Sequence, residues 1–116
     1  MPANRTLSVL ALLAIGLAGC GDKSPSPGAP ATAKVNIASF KYAPDPIEVR
    51  AGGKVTWTNQ DKAKHTAETE GGTNATYNTG DLRLGDSRTL TFDKPGTYEY
   101  LCVYHPFMKG TVKVVE

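Results

Sequence analysis

Beyond residue 34, apolar and polar positions alternate in short runs, and each run stops at a turn. Val35, Ile37 and Ser39 alternate with polar or small neighbours and predict a first strand ending near Phe40. After the turn at Pro44-Asp45-Pro46, Ile47-Glu48-Val49-Arg50 alternates again. Ala51-Gly52-Gly53 is a turn, and Lys54-Val55-Thr56-Trp57-Thr58-Asn59 is a strand with Val55 and Trp57 on one face. Residues 66–69 form a short strand, and Gly71-Gly72-Thr73-Asn74 interrupts the pattern. A strand over 87–92, the turn Asp93-Lys94-Pro95-Gly96 and a strand over 97–102 follow. On that strand Tyr98 and Tyr100 share a face that Cys102 continues. Residues 111–115 close the chain. No stretch carries a helical period. Seven or eight short strands divided by Gly/Pro turns predict an all-β sandwich or barrel.

The first 33 residues do not share this pattern. Arg5 supplies a short basic segment, and residues 7–18 are an apolar run too short to span a membrane comfortably but suited to a secretory signal. The run leads directly into Leu17-Ala18-Gly19-Cys20, which resembles a bacterial lipobox. That resemblance implies a signal peptide over 1–19, cleavage before Cys20, and a lipid on its sulfur that anchors the chain. The alternative is an ordinary export signal with an incidental cysteine. Residues 20–33, with Ser24-Pro25-Ser26-Pro27-Gly28-Ala29-Pro30, have no apolar period and predict an extended tether. The folded domain is then 34–116.

So small a domain buries only about three-fifths of its unfolded surface, and a disulfide or metal often helps such a fold. The chain has two cysteines, and Cys20 is the expected lipidation site, so Cys102 has no disulfide partner. Metal ligation explains an unpaired cysteine in an exported domain. Cys102-x-x-His105-x-x-Met108 places a thiolate, an imidazole and a thioether within one short loop between the last two strands. His65, the only other histidine, follows the Trp57 strand. Taken singly, these residues are more often core filler or surface groups; the joint pattern is different. Two imidazoles and a thiolate with a weak axial methionine are the ligands of a blue-copper centre. Structural zinc fits less well, because a thioether is a poor zinc ligand. A binuclear copper centre needs a second thiolate in this loop. A Cys–His nucleophile leaves Met108 and His65 unexplained. The net charge of +2 is uninformative, and no basic run or recognition motif points to nucleic acid.

These residues resemble the cupredoxins, most closely the amicyanin- and plastocyanin-like blue copper proteins. The matching stretches include Phe40-Lys41-Tyr42-Ala43-Pro44, Gly53-Lys54-Val55-Thr56-Trp57-Thr58-Asn59 leading to His65-Thr66, Tyr77-Asn78-Thr79-Gly80-Asp81-Leu82, Phe92-Asp93-Lys94-Pro95-Gly96-Thr97-Tyr98-Glu99-Tyr100 and Cys102 through Gly110. The two-residue gap between His105 and Met108 looks like amicyanin. The resemblance implies a Greek-key β-sandwich holding one copper ion, with His65, Cys102 and His105 as equatorial ligands and Met108 as the axial one. Several family members carry Asn after the first histidine; this chain has Thr66, whose hydroxyl can bond across to the ligand loop.

The expected function is a one-electron carrier, not an enzyme, monomeric and exported to the periplasm or the outer side of a membrane. The family's last ligand histidine reaches the surface through an apolar patch. Here Tyr104, Pro106 and Phe107 around His105 would form the docking face for a redox donor and acceptor. Lys62, Lys64 and Lys109 are expected near this end and would favour acidic partners. The alternative class is an envelope protein that stores or delivers copper. A single Met besides the initiator counts for the carrier.

Overall fold

The alternation resolves into eight strands in two four-stranded sheets, in a computed structural model that describes residues 28–70 and 76–116. The expected signal peptide, Cys20 and the Gly71–Asn74 interruption lie outside the described residues. In chain order the strands are β1 (Thr32–Ala38), β2 (Lys41–Ala43), β3 (Ile47–Arg50), β4 (Gly53–Asn59), β5 (Glu68–Thr69), β6 (Ser87–Phe92), β7 (Gly96–Cys102) and β8 (His105–Val115). One sheet has the order β2-β1-β4-β6 and the other β3-β8-β7-β5. Several connections cross between the sheets, so β1 lies parallel to β4 and β3 parallel to β8. The result is a Greek-key β-sandwich, and no helix occurs among the described residues.

Every second residue of the principal strands faces inward. Val35, Ile37, Val55, Trp57 and Phe92 meet Val49, Tyr98, Tyr100, Cys102, Met108, Val112 and Val114 across the layer. Each large aliphatic or aromatic side chain buried here adds about 1.5–3 kcal/mol. At the centre, Tyr100 packs edge-on against Tyr42 and Trp57, with ring centroids 4.6 and 5.4 Å away. Its cross-strand partner is Gly110.

Several boundaries differ from the sequence expectation. β1 already opens at Thr32, paired with Lys54, so the tether expected over 20–33 gives way to the sheet earlier than predicted. Two of the other differences shape the site. The first strand stops at Ala38. Ser39 and Phe40 form a two-residue turn with φ of 52° and 58°, and the chain folds back as β2 with Ala38 opposite Lys41. Positive φ at both central positions suits the right-handed twist of a hairpin, but glycine or asparagine usually supplies it. In other residues the left-handed conformation costs about 1–2 kcal/mol each. The second difference is in the ligand segment. Instead of a loop from Cys102 to Met108, only Val103 and Tyr104 form the turn. β8 already begins at His105, which pairs with Cys102 beside a bulge at Leu101/Cys102. His105 and Met108 are therefore held by a sheet ladder.

Candidate metal centre

Three candidate ligands converge at one end of the sandwich. Cys102 ends β7 with its side chain fully buried. His105 opens β8 and is half-buried. His65 comes from the β4–β5 connection, and two backbone hydrogen bonds with Leu82 hold it there. Its N–H donates to the Leu82 carbonyl at 3.0 Å and its carbonyl accepts from the Leu82 N–H at 2.8 Å. The approach to His65 is organised by buried Asn59. Its Nδ2 donates to the carbonyls of Ala63 and Leu82, both at 2.8 Å, and its Oδ1 accepts from the Asp61 N–H at 2.8 Å.

The Cys102 Sγ lies 3.7 Å from His65 Nδ1 and 3.6 Å from His105 Nδ1. One ligand atom from each of the three residues falls within 4.8 Å of the others. A metal with bonds of about 2.0 Å to nitrogen and about 2.3 Å to sulfur requires S···N of about 3.5 Å at a tetrahedral angle and about 3.7 Å at a trigonal one. The triangle therefore fits a first-row metal ion as it stands. Two nitrogens and one sulfur are also the softer donor set that suits copper. Met108 is buried in the same apolar cluster as Cys102, three residues along β8 from His105.

Thr66 ties the two halves of the site together. Its N–H points at the Cys102 sulfur at 3.4 Å, and its hydroxyl accepts from the Val103 N–H at 3.0 Å. The same hydroxyl donates to Glu68 Oε2 at 3.3 Å. The Thr66 carbonyl accepts from the Tyr42 hydroxyl. Burial, with the nearby Cys102, Tyr100 and Glu68 charges, pushes the Tyr42 phenol well above its ordinary pKa, so it remains a donor. Thr66→Val keeps the shape but orphans the Val103 N–H. The apoprotein is expected to lose about 1–2 kcal/mol, read from the urea midpoint, with no loss in Thr66→Ser.

Two residues around the site were not among the expected site residues, Phe40 and Asp61. The Phe40 ring stands edge-on to both imidazoles, 5.2 Å from His65 and 5.0 Å from His105 between centroids. Asp61 accepts from the Ser39 N–H at 2.7 Å, the Phe40 N–H at 2.9 Å and His65 Nε2 at 2.9 Å. Burial alone would raise the Asp61 carboxyl. The hydrogen bonds from Phe40, Ser39 and His65 outweigh it, and the pKa falls below the usual carboxylate value. A folded pKa below the unfolded one, about 3.9, means that the stabilisation is present above that value and is lost as pH falls through the folded pKa. The difference in urea midpoint between the wild-type and Asp61→Asn apoproteins should thus be full near about pH 6 and shrink as the pH is taken below about 3.9. A constant difference across that range contradicts the assignment.

The surface at this end is apolar. Phe107 is 71% exposed, so it is not core, and Val103, Tyr104 and Phe40 are each 40–45% exposed. The Tyr104 hydroxyl donates to Asp81 Oδ1 at 2.7 Å, and Lys64 lies 3.6 Å from Asp81 Oδ2 and 4.6 Å from the Tyr104 ring centroid. Lys109 lines a surface depression with Asp45, Glu70 and Glu99. Carboxylates therefore offset much of the positive charge expected here from Lys64 and Lys109; Lys62 is exposed.

A family profile described as "Cupredoxin-like domain" matches residues 9–114. Amicyanin-alpha of Methylorubrum extorquens is 33% identical over 114 residues, covering 97% of this chain and 92% of that protein. Amicyanin of Paracoccus denitrificans is 35% identical over 82 residues, covering 69% of this chain and 63% of that protein. Among solved structures, a Cu(I) form of a methionine-to-alanine amicyanin variant superposes with a TM-score of 0.66 at 33% identity, covering 74% of this chain and 84% of that one.

Proposed function

The chain belongs to the cupredoxin family, and from that membership we propose that it is a type 1 blue copper protein carrying single electrons between redox partners in the cell envelope. The observation that carries this reading is the triangle of Cys102 Sγ, His65 Nδ1 and His105 Nδ1. His65, Cys102, His105 and Met108 would hold the ion. Bound copper supplies the one-electron Cu(II)/Cu(I) couple. The chain's own part is to keep its donors still. His65 is held by paired backbone hydrogen bonds, Cys102 and His105 face each other in a ladder, and Thr66 bridges the two segments. Donors that move little suit both oxidation states and keep the reorganisation barrier low.

His105 is the more exposed imidazole, set in a collar of Phe40, Val103, Tyr104 and Phe107. That collar is the proposed docking face for donor and acceptor, and desolvating it supplies contact without a large charge requirement. The monomeric domain would open with β1 at Thr32 and run to residue 116. The Pro-rich segment before it would be a tether that holds it off the membrane, anchored through a lipid on Cys20 after removal of 1–19.

An absorption spectrum after Cu(II) addition tests the metal reading. An intense blue thiolate-to-copper band that a mild reductant bleaches reversibly is expected. A colourless protein that takes only Cu(I) would instead mark a storage or delivery protein. Intact mass of the chain from the membrane fraction tests the anchor. An unmodified N-terminus overturns it.

A further inference from the structure

Both oxygens of Asp61 are engaged, and they connect two parts of the site that share no strand. Oδ1 accepts from the Ser39 N–H, while Oδ2 accepts from the Phe40 N–H and from His65 Nε2. The side chain is only 15% exposed, so water competes weakly for these bonds. The Asp61 carboxylate can only accept, so its bond to His65 requires the proton on Nε2, and Nδ1 is the nitrogen that faces the Cys102 sulfur. A carboxylate on the far nitrogen fixes the tautomer and ring orientation of a ligating histidine and makes it a stronger donor. The other two bonds hold the turn at Ser39 and Phe40, two consecutive non-glycine residues at positive φ. Strained conformations of this kind persist only where surrounding structure holds them, and they gather at functional sites. The side chain presented by this turn is Phe40, whose ring packs edge-on to both imidazoles.

We propose that Asp61 is a positioning residue for the metal centre: one carboxylate orients and enriches His65 and also seats Phe40 over the two histidines, so that it sets the reduction potential of the bound ion. This rests on reading the site as a copper centre. The charge it adds favours Cu(II) over Cu(I), so removing it should raise the potential.

The test uses the full chain with Asp61→Asn, which keeps the size but cannot accept from three N–H groups at once. In the apoprotein, NMR of the imidazole nitrogens should show a slowly exchanging His65 Nε2 proton in the wild type and faster exchange in the variant. With copper, Cu(II) affinity should fall on the order of tenfold more than Cu(I) affinity, a rise in potential of about 59 mV. Ser39→Gly removes the strain at one of the two left-handed positions of the turn and leaves His65 untouched. Alone it should leave the potential unchanged. Combined with Asp61→Asn it should recover the fold while the potential stays shifted, which covers the case where Asp61→Asn alone fails to fold. An unchanged ratio of Cu(II) to Cu(I) affinities together with unchanged Nε2 exchange overturns the proposal. If the wild type shows no blue band, the copper reading fails, and the exchange measurement still decides whether Asp61 orients His65.

Discussion

Cys102→Ser protein given Cu(II) is expected to stay colourless. The substitution removes the soft sulfur from a set of two imidazoles and one thiolate, and a serine hydroxyl does not ionise at neutral pH to replace it. Changing a residue that only supports a ligand weakens metal sites by about 10–100-fold, and loss of the thiolate itself should exceed that. The fold should survive. Serine occupies less space at this fully buried position, and the Thr66 N–H that points at the sulfur can donate to the new hydroxyl. The apoprotein should therefore lose no more than about 1–2 kcal/mol. Two measurements separate metal loss from unfolding. Circular dichroism of the apo variant should match the wild type, and Cu(II) should raise the melting temperature of the wild type only, because a ligand stabilises the state that binds it. An intense blue band in the serine variant would remove Cys102 from the site.

The second large effect lies a few residues away, where no ligand is touched. A Cβ on Gly110 would sit 2.4 Å from Tyr100 Cζ, 2.5 Å from its hydroxyl oxygen and 2.9 Å from Cε1. The ring cannot withdraw, because Tyr42 and Trp57 pack against it and almost none of it reaches solvent. Overpacking a close-packed core costs about 1–3 kcal/mol and sometimes more; three contacts this short place Gly110→Ala at or above the upper end. At about 4–8 °C per kcal/mol for a domain of this size, the melting temperature should fall by roughly 15 °C or more, or the chain should fail to accumulate. Copper binding should weaken too, since β7 and β8 carry Cys102, His105 and Met108. Shrinking the ring in the Gly110→Ala background, with Tyr100→Leu, should recover part of the loss. A double-mutant cycle would then report a coupling above about 0.5 kcal/mol. Additive effects would mean that the two residues do not press on each other.

Much of the fold was legible in the order of residues. β3, β4, β6 and β7 fall within a residue of where the alternation placed them, because each buries one face and the period of two is a local signal. The hairpin at Ser39-Phe40 was not legible, since neither residue carries the glycine or asparagine signature of such a turn. Its support comes from Asp61, more than twenty residues away. The sequence predicts a longer ligand loop because the segment lies between the strand over 97–102 and the closing strand over 111–115. The ladder with β7 extends β8 to His105 regardless.

By itself the sequence determined the class of sheet structure, the donor atoms on offer and the placing of Cys102 and His105 in one short segment. These depend on side-chain period and on residues three apart. Only the tertiary structure decided that His65 meets a sulfur 37 residues further along, that Asp61 takes both the histidine and the strained turn, and that Phe40 covers both imidazoles. Each of those contacts requires the crossing connections to bring distant segments to one end of the sandwich. Hydrogen bonds and burial can select a partner only after that sheet pairing has set the distance.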